Sequence, residues 1–269
     1  MGALHGPAEL VPVSSSAHTT LIPWLLDPGY VELDGELRKA FEVALHAGAT
    51  AALLIAWRRA LIDELQALEA RELGLLALAS APAALAGYVF QDQIELHLGQ
   101  PRIIAAALIV GAAAMAAADR KPEARNAEEA GAGDALWLGG AQACALVPGV
   151  SRQGATLAAA RLRQFKRDEA ATLARRLAFP VIIGATTLKG WRLRRGRLDP
   201  GSRAPILAGT AMSFVSTLFA SRVARDPTGG RALWPYALYR LGLAAAILAR
   251  AGRGNLEGPF HDQGHGQPP

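Results

Sequence analysis

Two short polar stretches carry residue types suited to phosphoryl chemistry, and each interrupts apolar sequence. The first runs Glu9-Leu10-Val11-Pro12-Val13-Ser14-Ser15-Ser16-Ala17-His18-Thr19-Thr20; the second runs Leu146-Val147-Pro148-Gly149-Val150-Ser151-Arg152-Gln153-Gly154-Ala155-Thr156. In the second, Pro148 ends a helix and Gly149 frees the backbone, so successive N–H groups can face a cavity. Arg152 offers a permanently charged fork of five donors suited to phosphate oxygens, with the Ser151 hydroxyl beside it. Gly154 permits close approach, and a helix starting near Ala155 turns its positive end toward an anion.

The first stretch supplies complementary groups. Glu9 is a carboxylate able to hold a divalent cation or to act as a base. Ser14, Ser15 and Ser16 offer hydroxyls for nucleophilic attack or phosphate binding. His18 lies three residues beyond Ser15 and His5 four before Glu9, so each pair shares a face wherever a helix covers it. Singly, these residues admit plainer roles: serines cap helices, histidines satisfy interior hydrogen bonds, and arginines reach an interface by their long stems. Together, a carboxylate, hydroxyls, an imidazole and a guanidinium form an inventory for phosphoryl chemistry at a membrane surface. An arginine in an apolar setting is expensive and normally has a partner or a purpose. The candidate catalytic residues are Glu9, Ser15, His18 and Arg152, and the candidate cation ligands are Glu9 and His5. Ser14, Ser16, Gly149, Ser151, Gln153, Gly154 and Thr156 form the candidate substrate-binding set.

The elements that must position these residues are apolar. The chain has 269 residues, of which 51% are hydrophobic. Phe41 to Trp57, Leu73 to Phe90, Ile103 to Ala118, Ala204 to Phe219 and Trp234 to Ala249 are runs of 16 to 18 residues with almost no charge. Such lengths lie near the lower limit for crossing a bilayer. A soluble alanine-rich bundle is the competing reading, but charges confined between the runs favour a membrane. Residues 1–26 are too short and polar to span, so a re-entrant hairpin is expected there, and residues 135–160 form a second broken-helix candidate. The two motifs lie 136 positions apart (Leu10 and Leu146), an offset that aligns Ser15 with Ser151, Thr20 with Thr156 and Gly48-Ala49-Thr50 with Gly184-Ala185-Thr186. Two repeats with broken helices are the sequence signature of a site built between halves. We expect an all-α polytopic membrane protein with one membrane domain over residues 1–250. Repeat one covers about 1–119 and repeat two about 135–250, each with a re-entrant hairpin and about three transmembrane helices, before a disordered tail over 251–269.

The net charge of +5 raises the question of nucleic acid. The Lys and Arg residues flank apolar runs, as at Arg58-Arg59 and Arg192 to Arg197, and no interleaved aromatic and basic surface accompanies them, so no nucleic-acid partner is expected. The basic Arg58–Glu72 connector is expected in the cytoplasm, although the equally basic Arg161–Arg176 and Lys189–Arg203 connectors leave the second half's topology open. The single cysteine, Cys144, excludes an intramolecular disulfide and a cysteine-rich metal site. No basic region followed by a long apolar core opens the chain, so no cleaved leader is expected.

Glu9 to His18 and Pro148 to Thr156 together resemble the undecaprenyl-diphosphatase family associated with bacitracin resistance. Supporting matches are Phe41-Glu42-Val43 leading to His46-Ala47-Gly48, Phe90-Gln91-Asp92-Gln93-Ile94, Asp119-Arg120 and Tyr239-Arg240. The resemblance implies hydrolysis of undecaprenyl diphosphate to undecaprenyl phosphate and inorganic phosphate, which regenerates the lipid carrier of peptidoglycan synthesis. It also implies that the repeats are inverted, that the site faces outward from the cytoplasmic membrane, and that a divalent cation, Mg²⁺ or Ca²⁺, is the cofactor. A polyprenyl diphosphate lipid and the bilayer are the implied partners, with a homodimer possible. The family's catalytic acid, serine, histidine and arginine fall on Glu9, Ser15, His18 and Arg152. Two positions depart: His5 stands where the family usually has Glu or Gln, and Gln153 replaces a second serine. A transporter or flippase of a phosphorylated polyprenyl lipid is the alternative, since repeats and broken helices suit that class equally.

Overall fold

Alanine and leucine dominate the apolar runs, and both are strong helix formers. The computed structural model describes residues 1–26, 35–193, 200–223 and 230–252, and the long elements among them are all helices. The polar connection at 27–34, residues 194–199 of the basic connector and the tail beyond residue 252 lie outside the described residues. Two helices, α1 (Gly2–Leu10) and α2 (Ser15–Leu26), form the first hairpin. They lead through α3 (Gly35–Ala56), α4 (Arg58–Ala67), α5 (Ala70–His97) and α6 (Pro101–Asp119). The second half repeats this order: a hairpin of α7 (Ala132–Cys144) and α8 (Arg152–Leu162), then α9 (Arg167–Leu193), α10 (Arg203–Val223) and α11 (Trp234–Ala251). The nine-residue α1 rises only about 14 Å and the thirteen-residue α7 about 20 Å, so the first leg of each hairpin is shorter than a bilayer core.

Local chemistry sets the boundaries. A reciprocal capping box of Glu69 and Glu72 starts α5, and Pro101 opens α6, where its missing N–H costs nothing. The Arg58–Glu72 segment expected as a connector is mostly the exposed amphipathic helix α4, because Leu61, Ile62 and Leu65 recur at helical spacing among its charges.

The hairpins cross between halves. α1 packs on α10 and α7 packs on α5, so each hairpin is held by the other half. On α1, Gly2 and Gly6 let the backbones touch: a Cβ on Gly6 would lie 2.4 Å from the Thr217 nitrogen. The halves also meet where α3 packs on α9, and there Thr50 Oγ1 lies 3.2 Å from Thr186 Oγ1. These threonines are a pair aligned by the offset of 136, so that pair meets where the halves touch.

Among the described residues, four helices are long and apolar enough to cross a membrane, over Leu37–Ala56, Ala70–Phe90, Pro101–Asp119 and Arg203–Val223. The three expected in the first half are all present, and among the described residues of the second only α10 qualifies. Arg175 and Arg176 make α9 more polar, and α11 carries Arg240 and Arg250. The most apolar stretch of α5 is only 11% buried and exposes Leu85, Val89 and Phe90, which suits a helix solvated by lipid rather than water.

Candidate functional site

The two turns converge at the middle of the bundle. Ser14 has φ 73° and Ser151 has φ 67°, a left-handed conformation that reverses the chain just before each second leg begins. Each side chain then caps that leg: the Ser14 hydroxyl accepts from Ala17 N at 3.4 Å, and the Ser151 hydroxyl from Gly154 N at 3.2 Å. One turn later, Thr19 donates to the Ser15 and Ser16 carbonyls, and Thr156 donates to the Arg152 and Gln153 carbonyls. All three correspondences run at 137 rather than 136 positions. The structure therefore corrects the motif alignment by one residue: Ser14 matches Ser151, Ser15 matches Arg152, and Thr19 rather than Thr20 matches Thr156. The second turn is one residue longer and uses Gly149, at φ 100°, packed on the Ile104 carbonyl.

This register gives Ser15 and Arg152 the same place, the first residue of an inward-starting helix, and both reach Glu9. Ser15 Oγ donates to Glu9 Oε2 at 2.5 Å, and an Arg152 terminal nitrogen lies 3.5 Å from Glu9 Oε1. Glu9 and Arg152 line one cavity of about 240 Å³ with Gln153, and its walls include Leu53, Trp57 and Phe179. The starting ends of α2 and α8 both carry unpaired N–H groups and a partial positive charge, so an anion placed between Ser15 and Arg152 meets two helix termini.

His18 is oriented differently from the shared face expected with Ser15. Its Nδ1 lies 2.7 Å from the Ser14 carbonyl and its Nε2 2.7 Å from the Tyr239 hydroxyl, with the two rings stacked. Nδ1–H therefore donates to Ser14 and Nε2 accepts from Tyr239, so His18 ties the first turn to α11. Among the substrate-binding candidates, Thr156 is fully buried with its hydroxyl spent inside α8. Ser14 and Ser151 serve as caps, while Ser16 remains half-buried beside Ser14, their hydroxyls 3.1 Å apart.

Three residues not proposed for the site prove to shape it. Arg240 is completely buried on α11 and donates to the Pro12 carbonyl at 3.3 Å and the Gly149 carbonyl at 2.8 Å. Those carbonyls are again 137 positions apart, so one guanidinium holds both turns. Tyr239 positions His18. His46 on α3 brings Nδ1 to 3.9 Å from Glu9 Oε2, and one ligand atom each of His5, Glu9 and His46 lies within 4.8 Å of the others. A charge inside an otherwise apolar run and the family match at Tyr239-Arg240 were the signals for Arg240; His46 stood in a family match too, but its nearness to Glu9 is purely tertiary.

The family described as bacitracin resistance protein BacA matches residues 1–246. The chain belongs to that family. Among similar proteins are an undecaprenyl-diphosphatase of Geobacter sulfurreducens, 36% identical over 93% of this chain and 95% of that one, and one of Trichlorobacter lovleyi, 32% identical over 95% and 97%. A third, from Pelobacter propionicus, is 34% identical over 93% and 94%. Within this family's chain, the donor set near Glu9 does not suit the hard cation expected from the resemblance. Mg²⁺ and Ca²⁺ prefer oxygen ligands, whereas two of the three clustered donors here are imidazoles.

Proposed function

We propose that this multi-pass membrane protein hydrolyses undecaprenyl diphosphate to undecaprenyl phosphate and inorganic phosphate. The reading rests above all on the Glu9 carboxylate, which touches the Ser15 hydroxyl on one oxygen and approaches Arg152 on the other. Arg152 and the free N–H groups starting α2 and α8 hold the diphosphate and stabilise charge as it redistributes. Glu9 takes the proton from Ser15, or from a water held in its place, as that oxygen bonds to the terminal phosphorus. The bridging P–O bond breaks and its electron pair leaves with the lipid monophosphate, an anion stable enough to depart without a proton donor. On the serine route a water then adds to the phosphoserine, the Oγ–P bond breaks as the Glu9 proton returns to Ser15 Oγ, and inorganic phosphate leaves with the water's hydrogens. His18 orders the first turn through its bonds to Ser14 and Tyr239.

The polyprenyl chain lies along apolar, lipid-facing helix surfaces such as that of α5. The protein resides in the bacterial cytoplasmic membrane, and hydrolysis there recycles the lipid carrier and supports bacitracin resistance. Three crossings after the first hairpin place the second hairpin's entry on the opposite side, which makes the repeats inverted. The cavity lining reaches Trp57 and the exposed Ala60, so we place its mouth at the end bearing Arg58 and Arg59, which charge alone puts in the cytoplasm. Inverted repeats set basic connectors at both ends, however, so that bias cancels, and we assign the mouth to the outer face. A membrane-impermeant thiol reagent on intact cells should label Ala60→Cys in a Cys144→Ala background; labelling only after lysis reverses the assignment.

Phosphate release from polyprenyl diphosphate by the purified protein tests the central reading. We expect release to be abolished in Arg152→Ala. Lipid translocation in liposomes without phosphate release would support the flippase instead.

A further inference from the structure

The geometry points to a two-histidine, one-carboxylate metal site at His5, Glu9 and His46 that selects a divalent first-row transition ion of the Mn²⁺ to Zn²⁺ series over Mg²⁺ and Ca²⁺. The decisive observation is a proton count around His5. Ser213 on α10 gives its only hydroxyl proton to the Leu45 carbonyl at 2.7 Å, and the same oxygen lies 3.1 Å from His5 Nδ1. Ser213 therefore accepts from Nδ1–H, which fixes the tautomer and leaves Nε2 as a bare lone pair. That Nε2 is buried and has no hydrogen-bond partner, in a residue with no exposed surface. An orphaned buried acceptor is costly, and an imidazole whose other nitrogen donates to a fixed oxygen is the usual arrangement of a metal-ligating histidine.

The neighbours complete the donor set. His46 stands edge-on to His5, with ring centroids 4.6 Å apart, and its side chain is 36% exposed, so an ion can enter on that side. Glu9 turns Oε2 toward His46 and Ser15, while Arg152 lies nearer Oε1. Donors around a tetrahedral ion sit about 3.4 Å apart for bonds of about 2.1 Å, so side-chain adjustments of roughly 1 Å close the triad from 4.8 Å. Imidazole suits Zn²⁺, Fe²⁺ or Ni²⁺, with Co²⁺ a spectroscopic stand-in for Zn²⁺, whereas Mg²⁺ and Ca²⁺ favour oxygen. His5 stands where the family pattern usually has Glu or Gln, and the change trades an oxygen donor for a softer nitrogen donor.

The test uses the full chain, purified without a polyhistidine tag, stripped with chelator, and titrated without lipid substrate, so its outcome is independent of hydrolysis. Titration calorimetry and the visible spectrum of bound Co²⁺ are the readouts. We expect one Zn²⁺ or Co²⁺ per chain, bound at least about 100-fold more tightly than Mg²⁺ or Ca²⁺. His5→Gln and His46→Gln should each abolish the Co²⁺ band, and Ser213→Ala should weaken binding by about 10- to 100-fold. Should His5→Gln fail to fold, His46→Gln and Ser213→Ala carry the test. Equal or tighter binding of Mg²⁺ or Ca²⁺, no stoichiometric binding, or transition-metal binding untouched by the folded variants would each overturn the assignment.

Discussion

Arg240 holds the site together without lining its cavity, and this can be tested from two directions. Its guanidinium makes one short bond, to the Gly149 carbonyl at 2.8 Å, and three long ones, to Pro12, Leu108 and Ala107 at 3.3 to 3.4 Å. Counting about 2 kcal/mol for the short charge-assisted bond and about 0.5–1 for each long one gives roughly 3–5 kcal/mol in total. Lysine keeps the charge but has one compact ammonium, which cannot reach both turns, so Arg240→Lys should lose about half of that. In a helical domain of this size, such a loss lowers the melting temperature by about 4–10 °C. The kinetic effect should exceed the stability effect. Freeing either turn moves Ser15 against Arg152, and a displacement of about 1 Å costs on the order of 100-fold in rate. The loss should fall on kcat more than KM, because the substrate's lipid contacts are untouched. Gly111→Ala approaches from the other side: its new Cβ would sit 2.1 Å from an Arg240 terminal nitrogen, displacing the guanidinium while leaving Arg240 itself in place. Phosphate release and thermal unfolding in detergent are the assays. Wild-type kcat and melting temperature in both variants would refute the clamp.

Other outcomes follow from the same geometry. Glu9→Gln removes the proposed base beside Ser15 and should lower kcat by about 10² to 10⁴ while the fold persists. Trapping with labelled substrate distinguishes the routes: phosphoserine at Ser15 establishes the covalent one, and an active Ser15→Ala excludes it. Gly6→Leu should prevent folding, since even a Cβ there meets the α10 backbone, and loss of protein from the membrane fraction would show it. Asp134, at the base of the second hairpin outside the spans, is buried between Arg125 and Arg163, at 2.8 and 2.7 Å. Burial alone raises its carboxyl pKa, but Arg125, the Gly131 N–H and Arg163 together hold it well below the usual carboxylate range. A depressed folded pKa gives stability that is complete above the unfolded value near 4 and is lost as pH falls further. Asp134→Asn should cost about 2–3 kcal/mol at neutral pH and flatten the acid limb of the melting curve.

The hairpins were legible in the sequence because proline, glycine and serine inside apolar runs leave few other local structures. The apolar runs likewise gave the long helices. The register did not follow, because one extra residue in the second turn has no compositional signature and Leu-Val-Pro aligns perfectly on the wrong side of it. Only the matched caps at Ser14 and Ser151 expose the shift. The face of His18 also escaped. Spacing of three places it near Ser15 along a helix, but its ring folds back onto the Ser14 carbonyl, a choice made by Tyr239 from 221 positions away. Neither His46 nor Arg240 could be assigned, since their roles exist only once α3 and α11 are packed.

The corrected register explains why a duplicated scaffold yields an asymmetric site. The packing of the halves brings aligned positions together at Thr50 and Thr186. Had both repeats kept serine at the start of the second leg, two hydroxyls would face each other with no charge to hold a diphosphate. Had both carried arginine, repulsion would have opened the gap and no hydroxyl would remain. With Ser15 in one half and Arg152 in the other, the same architecture sets a hydroxyl opposite the proposed anion ligand. Glu9, matched in the second half by the neutral Ala145 or Leu146, has a carboxylate oxygen for each. The repeat supplies the geometry, and divergence at one equivalent pair supplies the chemistry. Exchanging the pair, Ser15→Arg with Arg152→Ser, preserves both residue types yet moves the guanidinium onto the oxygen facing His46. That double variant should fold but release no phosphate; activity in it would mean that the site is symmetric after all.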